Sequence, residues 1–157
     1  MGSRFEKEIE TLKKNDKGLL IIGGAKASDK ARYADSLETK GWTVLRGGLL
    51  PGVDLRPDGL DISQSLISNY QSLVSYADTI VVAGPMGKYE VAPEGTQKIF
   101  TAVARSKAYK IAGGGDTEAA LEKFALKDRF DWISVGGGAM LEYLSSGTLP
   151  GLQALRV

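Results

Sequence analysis

The sequence predicts an α/β fold, a doubly wound and mostly parallel sheet with helices on both faces. Three observations carry that expectation. Five short apolar runs recur along the chain ("GLLIIGG", "WTVLRGG", "TIVVAG", "KAYKIAGGG" and "DWISVGGG"), the pattern of strands buried on both faces. Stretches with apolar residues at helical spacing separate them, which implies βαβ units with right-handed crossovers. Glycine, 20 of 157 residues, is nearly twice as frequent as usual. It clusters directly after the apolar runs, at Gly23-Gly24, Gly47-Gly48, Gly84 and Gly87, Gly113-Gly114-Gly115 and Gly136-Gly137-Gly138. In such sheets ligands bind beyond the carboxyl ends of the strands, which is where these clusters fall.

The elements follow in order. "RFEKEIETLKKN" spaces Phe5, Ile9 and Leu12 as an amphipathic helix. Residues 1–17 therefore read as a lead-in helix behind a Met-Gly-Ser cloning scar, and residues 18–157 as one domain. After the first strand, Ser28 or Asp29 is expected to cap a helix that runs to Lys40 and is closed by Gly41. "WTVLRGG" is the second strand, and "LLPGVDLRPDG" is turn-rich and irregular. The next helix puts Leu66, Ile67, Tyr70, Leu73 and Val74 on one face. "TIVVAG" and "KAYKIAGGG" are the third and fourth strands, separated by a helix from about Thr96 to Arg105. Helix "DTEAALEKFA", strand "DWISVGGG" and helix "AMLEYLSS" complete a Rossmann-like three-layer sandwich. Trp42, Tyr70 and Trp132 read as packing residues.

Composition narrows the chemistry. A net charge of +1 leaves no electrostatic footprint for nucleic acid or an anionic membrane. No apolar run approaches the roughly 18 residues of a membrane span, so a cytoplasmic protein is expected. With neither cysteine nor histidine, disulfides, thiolate metal sites, Ser-His and Cys-His pairs and a histidine base are all excluded. Chemistry falls to carboxylates, lysines, arginines, hydroxyls, backbone amides and any bound metal.

Three motifs are suited to it. "IAGGGDTEAA" places three glycines before a helix, whose start offers unpaired N–H donors and partial positive charge, a ready site for phosphate. Asp116 then either serves a Mg²⁺ between carboxylate and phosphates or is simply the helix cap. Thr117 has a hydroxyl to offer a phosphate oxygen. "GGAKASDK" supplies Lys26 and Lys30, either solvated or drawn to an anion at the helix start. "AGPMGKYE" is a turn-rich loop whose Glu90 either accepts ribose hydroxyls or is an ordinary surface carboxylate. No P-loop and no G-x-G-x-x-G occurs.

Taken in order, "GGAKASDK", "GPMGKYE" with "EGT", "AGGGDTEAA", "SVGGGAMLEYL" and "LPGLQAL" resemble the C-terminal, nucleotide-binding half of phosphoglycerate kinase, over most of the chain after Gly18. The resemblance implies binding of MgADP or MgATP for phosphoryl transfer with 1,3-bisphosphoglycerate and 3-phosphoglycerate. It implies that Lys26 stabilises the transferring phosphoryl group, with the Gly113, Gly114 and Gly115 amides beside it. Lys30 and Thr117 would hold nucleotide phosphates, Asp116 the metal and Glu90 the ribose. Gly24, Ala25, Gly47, Gly48, Gly84 and Pro85 would line the nucleotide slot. The approaching group that the glycines make room for would then be a phosphate chain.

There are departures from the family pattern. The N-terminal domain, which carries the phosphoglycerate-binding basic patch and a catalytic arginine, has no counterpart here. The stretch between Gly48 and Thr79 is shortened, Ala83 stands in place of an asparagine, Lys88-Tyr89 replaces Val-Phe, and Val135 replaces a threonine. The chain is thus expected to bind nucleotide without turnover. The alternatives are a non-catalytic phosphate-binding module or an assembly partner for a separate N-terminal half.

Overall fold

The structure, a computed structural model, describes residues 18–24, 27–134 and 136–146. The expected lead-in helix, Ala25, Lys26, Val135 and the closing "LPGLQAL" lie outside the described residues. Among the described residues five strands form the sheet: β1 (Leu19–Ile22), β2 (Thr43–Arg46), β3 (Thr79–Ala83), β4 (Tyr109–Gly113) and β5 (Trp132–Ser134). All are parallel, in the order β2-β1-β3-β4-β5. The chain thus leaves β1 toward one edge and returns past it toward the other. A crevice opens where the order reverses, between the carboxyl ends of β1 and β3.

Among the described residues five α-helices cover the faces: α1 (Ala27–Thr39), α2 (Gln64–Ser75), α3 (Glu94–Arg105), α4 (Gly115–Lys123) and α5 (Gly137–Ser146). Alternate strand residues feed two cores. Leu19, Ile21, Ile80 and Val82 pack with Ile67, Tyr70, Ile99, Phe100 and Leu121 of α2, α3 and α4. Leu20, Ile22, Val81 and Ile111 pack with Leu37 of α1 and Met140, Leu141 and Leu144 of α5. That two-sided burial is why β1 and β3 read as unbroken apolar runs.

The end of α1 follows its sequence signal closely. Gly41 takes φ +98°. Its N–H donates to the Glu38 carbonyl, and that of Trp42 donates to the Leu37 carbonyl at 3.0 Å, a Schellman closure. Trp42 and Leu37 then share the same core.

Helix starts depart from expectation. Ser28 and Asp29 lie inside the first turn of α1 and cap nothing, because the helix already begins at Ala27. Asp29 instead places its charge favourably against the helix dipole. Helix α3 begins at Glu94, two residues before Thr96, behind Pro93, whose φ of −79° is already helix-like. Helix α2 is capped by Ser63, whose hydroxyl accepts from the Leu66 N–H at 3.2 Å. On this helix Ile67, Tyr70 and Val74 are buried, while Leu73 is exposed.

Candidate functional site

Three strand-end loops meet over the crevice and are stitched together by their backbones. Gly23 N–H donates to the Ala83 carbonyl at 3.1 Å, Gly48 N–H to the Met86 carbonyl at 2.8 Å, and Leu49 N–H to the Gly24 carbonyl at 3.2 Å. Such close approach leaves no space for side chains. A Cβ on Gly48 would run into the Gly24 backbone, and one on Gly84 into the Gly23 carbonyl. Gly47 would meet the Met86 side chain at 2.7 Å, and Gly113 would meet the Met140 methyl at 2.7 Å. At these positions another part of the chain already excludes a Cβ, and Gly48 lines the cleft as well. Gly113 is the last residue of β4, in register with Ser134, and the Gly114 N–H is committed to the Ser134 carbonyl at 3.3 Å. Gly115 is different, because a Cβ there would meet nothing within 4 Å.

Beyond these loops lies a cleft of about 350 Å³. Gly24 and Gly48 form one side, Leu49, Leu55 and Leu60 an apolar wall, Pro85 and Met86 the base, and Lys88, Glu90 and Asp116 the polar rim. Asp116 is exposed and occupies the second position of α4. The cap of that helix is Gly114, at φ +101°, with no side-chain hydrogen bond. The reading of Asp116 as cap is thereby removed, and the first-turn N–H groups of α4 stand beside its carboxylate without an intrahelical acceptor.

The remaining expected residues are placed around this cleft. The Lys30 ammonium donates to the Gly23 carbonyl at 2.6 Å and the Ala83 carbonyl at 3.3 Å, at the switch point between β1 and β3. Thr117 is buried under the loop, and its hydroxyl accepts from the Gly84 N–H at 2.7 Å, tying α4 to the end of β3. Gly24, Gly48, Pro85, Glu90 and Asp116 thus share one cleft, Lys30, Gly84 and Thr117 brace it, and Gly47 and Gly113 are packed behind it. Lys26 and Ala25 fall outside the described residues.

Two contributors escaped the sequence reading. Asp61 is fully buried; one carboxylate oxygen accepts from its neighbour Ile62 N–H at 2.8 Å and the other from Gly95 N–H in the first turn of α3 at 2.7 Å. Burial pushes its pKa up, against the lowering effect of those two amides and the Arg56 charge. Next to it, Lys88 N–H donates to the Leu60 carbonyl at 2.8 Å, so the 58–62 segment fixes both α3 and the rim loop. The available signal was an acid between Leu60 and Ile62, two large apolar residues. Tyr89 packs edge-on against Phe124, with 6.1 Å between ring centroids. Burial, then the charges of Glu90 and Asp116, raise its pKa, which places the ring in the field of both rim carboxylates.

A doubly wound parallel sheet with an open cleft at its topological switch point defines an α/β protein. The family model for phosphoglycerate kinase matches residues 52–147, more than half of the chain. The chain is 47% identical to the phosphoglycerate kinase of Thermoplasma acidophilum over 98 residues, 61% of its own length and 24% of that protein's. It is 41% identical to that of Thermoplasma volcanium over 123 residues, 76% of its length and 29% of the relative's. Two solved structures share the fold at 25% identity. The phosphoglycerate kinase of Coxiella burnetii gives a TM-score of 0.74 over 97% of this chain and 56% of its own, and that of Pyrococcus horikoshii 0.75 over 96% and 56%. The chain belongs to the phosphoglycerate kinase family. Its matches span between 24% and 29% of the length of these curated relatives. Among the described residues, no helix is long and apolar enough to cross a membrane.

Proposed function

We propose that this chain is the nucleotide-binding part of a phosphoglycerate kinase, taking MgADP or MgATP in the cleft for phosphoryl transfer between 1,3-bisphosphoglycerate and ADP. The observation that carries the reading is the start of α4. Open N–H groups and an exposed carboxylate face one cleft whose other wall is apolar. Phosphates fit the amides of Gly115, Asp116 and Thr117, where the helix dipole favours an anion by about 0.3–1 kcal/mol. Glu90, across the rim, accepts ribose hydroxyls, and the base lies along Leu49, Leu55 and Leu60. Lys30 adds positive charge at the switch point, and Lys26 is assigned the transferring phosphoryl group. Phosphoryl transfer asks for positioning and charge stabilisation more than for an acid or base, in keeping with a chain that has no histidine.

The donor set fits magnesium that arrives with its nucleotide. Among the described residues no three acids gather as a metal cage, and Mg²⁺ bound to phosphates keeps its waters and needs only one or two carboxylates. Asp116 would hold it, and the metal would supply positive charge to offset that of the nucleotide phosphates. The 157-residue chain alone is proposed to bind without turnover, because phosphoglycerate and the catalytic arginine belong to a separate domain in this reading.

Calorimetric titration tests the site. MgADP is expected to bind with Kd on the order of 10–100 μM, about −5.5 to −7 kcal/mol. Asp116→Ala is expected to weaken MgADP about tenfold and to abolish the difference between ADP with and without Mg²⁺. A variant whose magnesium dependence matches the parent chain contradicts the assignment.

A further inference from the structure

The rim loop carries a side chain that the phosphate chemistry does not use. Among the described residues lining the cleft, Lys88 is the one basic residue. It is exposed, and among the described residues no ion pair or side-chain hydrogen bond engages its ammonium. Its backbone position is nonetheless well fixed. The N–H donates to the Leu60 carbonyl, and the carbonyl accepts from Val91 and Ala92 N–H at 3.0 and 2.8 Å. The bond to Leu60 holds the Lys88 backbone beside one of the apolar residues that line the same cleft.

This inference rests on the nucleotide reading. With phosphates at α4 and ribose at Glu90, the apolar end is left for the base, and Lys88 shares the cleft lining there with Leu55 and Leu60. Three features then decide what that edge must offer. An ammonium has three donors and no acceptor. Guanine presents two adjacent acceptors, O6 and N7, whereas adenine pairs its N7 with an N6 amino donor. The apolar wall supplies stacking surface but no competing hydrogen bond, so it does not distinguish the two purines.

We propose that Lys88 makes this cleft select 6-oxopurine nucleotides, those of guanine and hypoxanthine, over adenine nucleotides. The lysine donates to O6 and N7 of the former and meets the amino group of the latter.

The test is calorimetry of the whole chain with MgADP, MgGDP and MgIDP, repeated on Lys88→Met, which keeps the length of the stem and removes the donors. MgGDP and MgIDP are expected to bind about five-fold more tightly than MgADP, the worth of one ordinary hydrogen bond. In Lys88→Met that ratio is expected to fall to about one, with MgADP affinity kept or improved. Equal binding of all three nucleotides by the parent chain overturns the proposal, as does a preference that survives in Lys88→Met. Tight binding of GDP but not IDP also overturns it, since the base's 2-amino group would then be the feature read. Absence of saturable binding by any of the three overturns the nucleotide reading itself, and is thereby distinguishable from a failure of selectivity.

Discussion

Gly84→Ala is expected to destabilise the protein by about 3–5 kcal/mol and to lower its melting midpoint by about 10 °C. Two costs combine. Gly84 takes φ +111°, a backbone conformation that residues with a side chain rarely adopt. Its Cβ would also fall on the Gly23 carbonyl, part of a neighbouring loop's backbone, and within 2.7 Å of the Lys30 ammonium. Relief requires β1 and β3 to part where Gly23 N–H bonds the Ala83 carbonyl, or the Gly84 N–H to leave Thr117. The matched control is Gly115→Ala. Nothing lies within 4 Å of that Cβ, and alanine suits the first turn of a helix better than glycine does. Thermal melts of the two variants should differ widely, and a Gly84→Ala midpoint within a degree or two of the parent would mean that the loop contact is wrong.

The second large effect lies at Asp61. Asp61→Ala is expected to cost about 2–4 kcal/mol, because it leaves the buried N–H groups of Gly95 and Ile62 without acceptors. The pH dependence should carry a distinct sign. The native carboxyl has its pKa raised above the ordinary 3.8, so the folded state holds this proton more firmly than the unfolded chain does. Its contribution is therefore full below the unfolded value and is lost as pH rises through the raised native one. Relative to Asp61→Asn, which cannot ionise, the parent chain should gain stability on acidification from neutrality toward pH 4. Denaturant midpoints of the two proteins across that range check it, and parallel curves would deny the raised pKa.

Asp61 also marks what the sequence conveyed and what it hid. The five strands were legible because burial on both faces leaves continuous apolar runs such as Leu19–Ile22 and Thr79–Ala83. The end of α1 was legible because only a residue tolerant of positive φ closes a helix in the way Gly41 does. Helix starts were less so. Ser28 and Asp29 are good caps by type, yet type alone does not say which residue precedes the first turn. Strand order was hidden as well, since pairing partners are chosen by tertiary contact and all five runs look alike.

The glycine clusters fall at the strand ends that open onto the cleft, and part of their cause is the chain itself. Gly47, Gly48, Gly84 and Gly113 are glycines because neighbouring loops and methionines press against them, and a single sequence cannot tell such a neighbour from a ligand. Gly115 alone of that first triplet opens onto space. Asp61 went unnoticed because its partners, the start of α3 and the Ile62 amide, come together only in the fold.

In the proposed function, nucleotide phosphates dock on the start of α4. Amide chemical-shift mapping of the chain titrated with MgADP tests this most directly. Saturable shifts are expected to concentrate at Gly24, Gly48, Lys88 to Glu90, and Gly115 to Thr117. That docking would be contradicted by saturable binding that leaves Gly115 to Thr117 unmoved, or by shifts gathered instead around Tyr76, Ala77 and Asp78, which line a smaller cleft with Gly18 and Leu19 at the opposite ends of the strands.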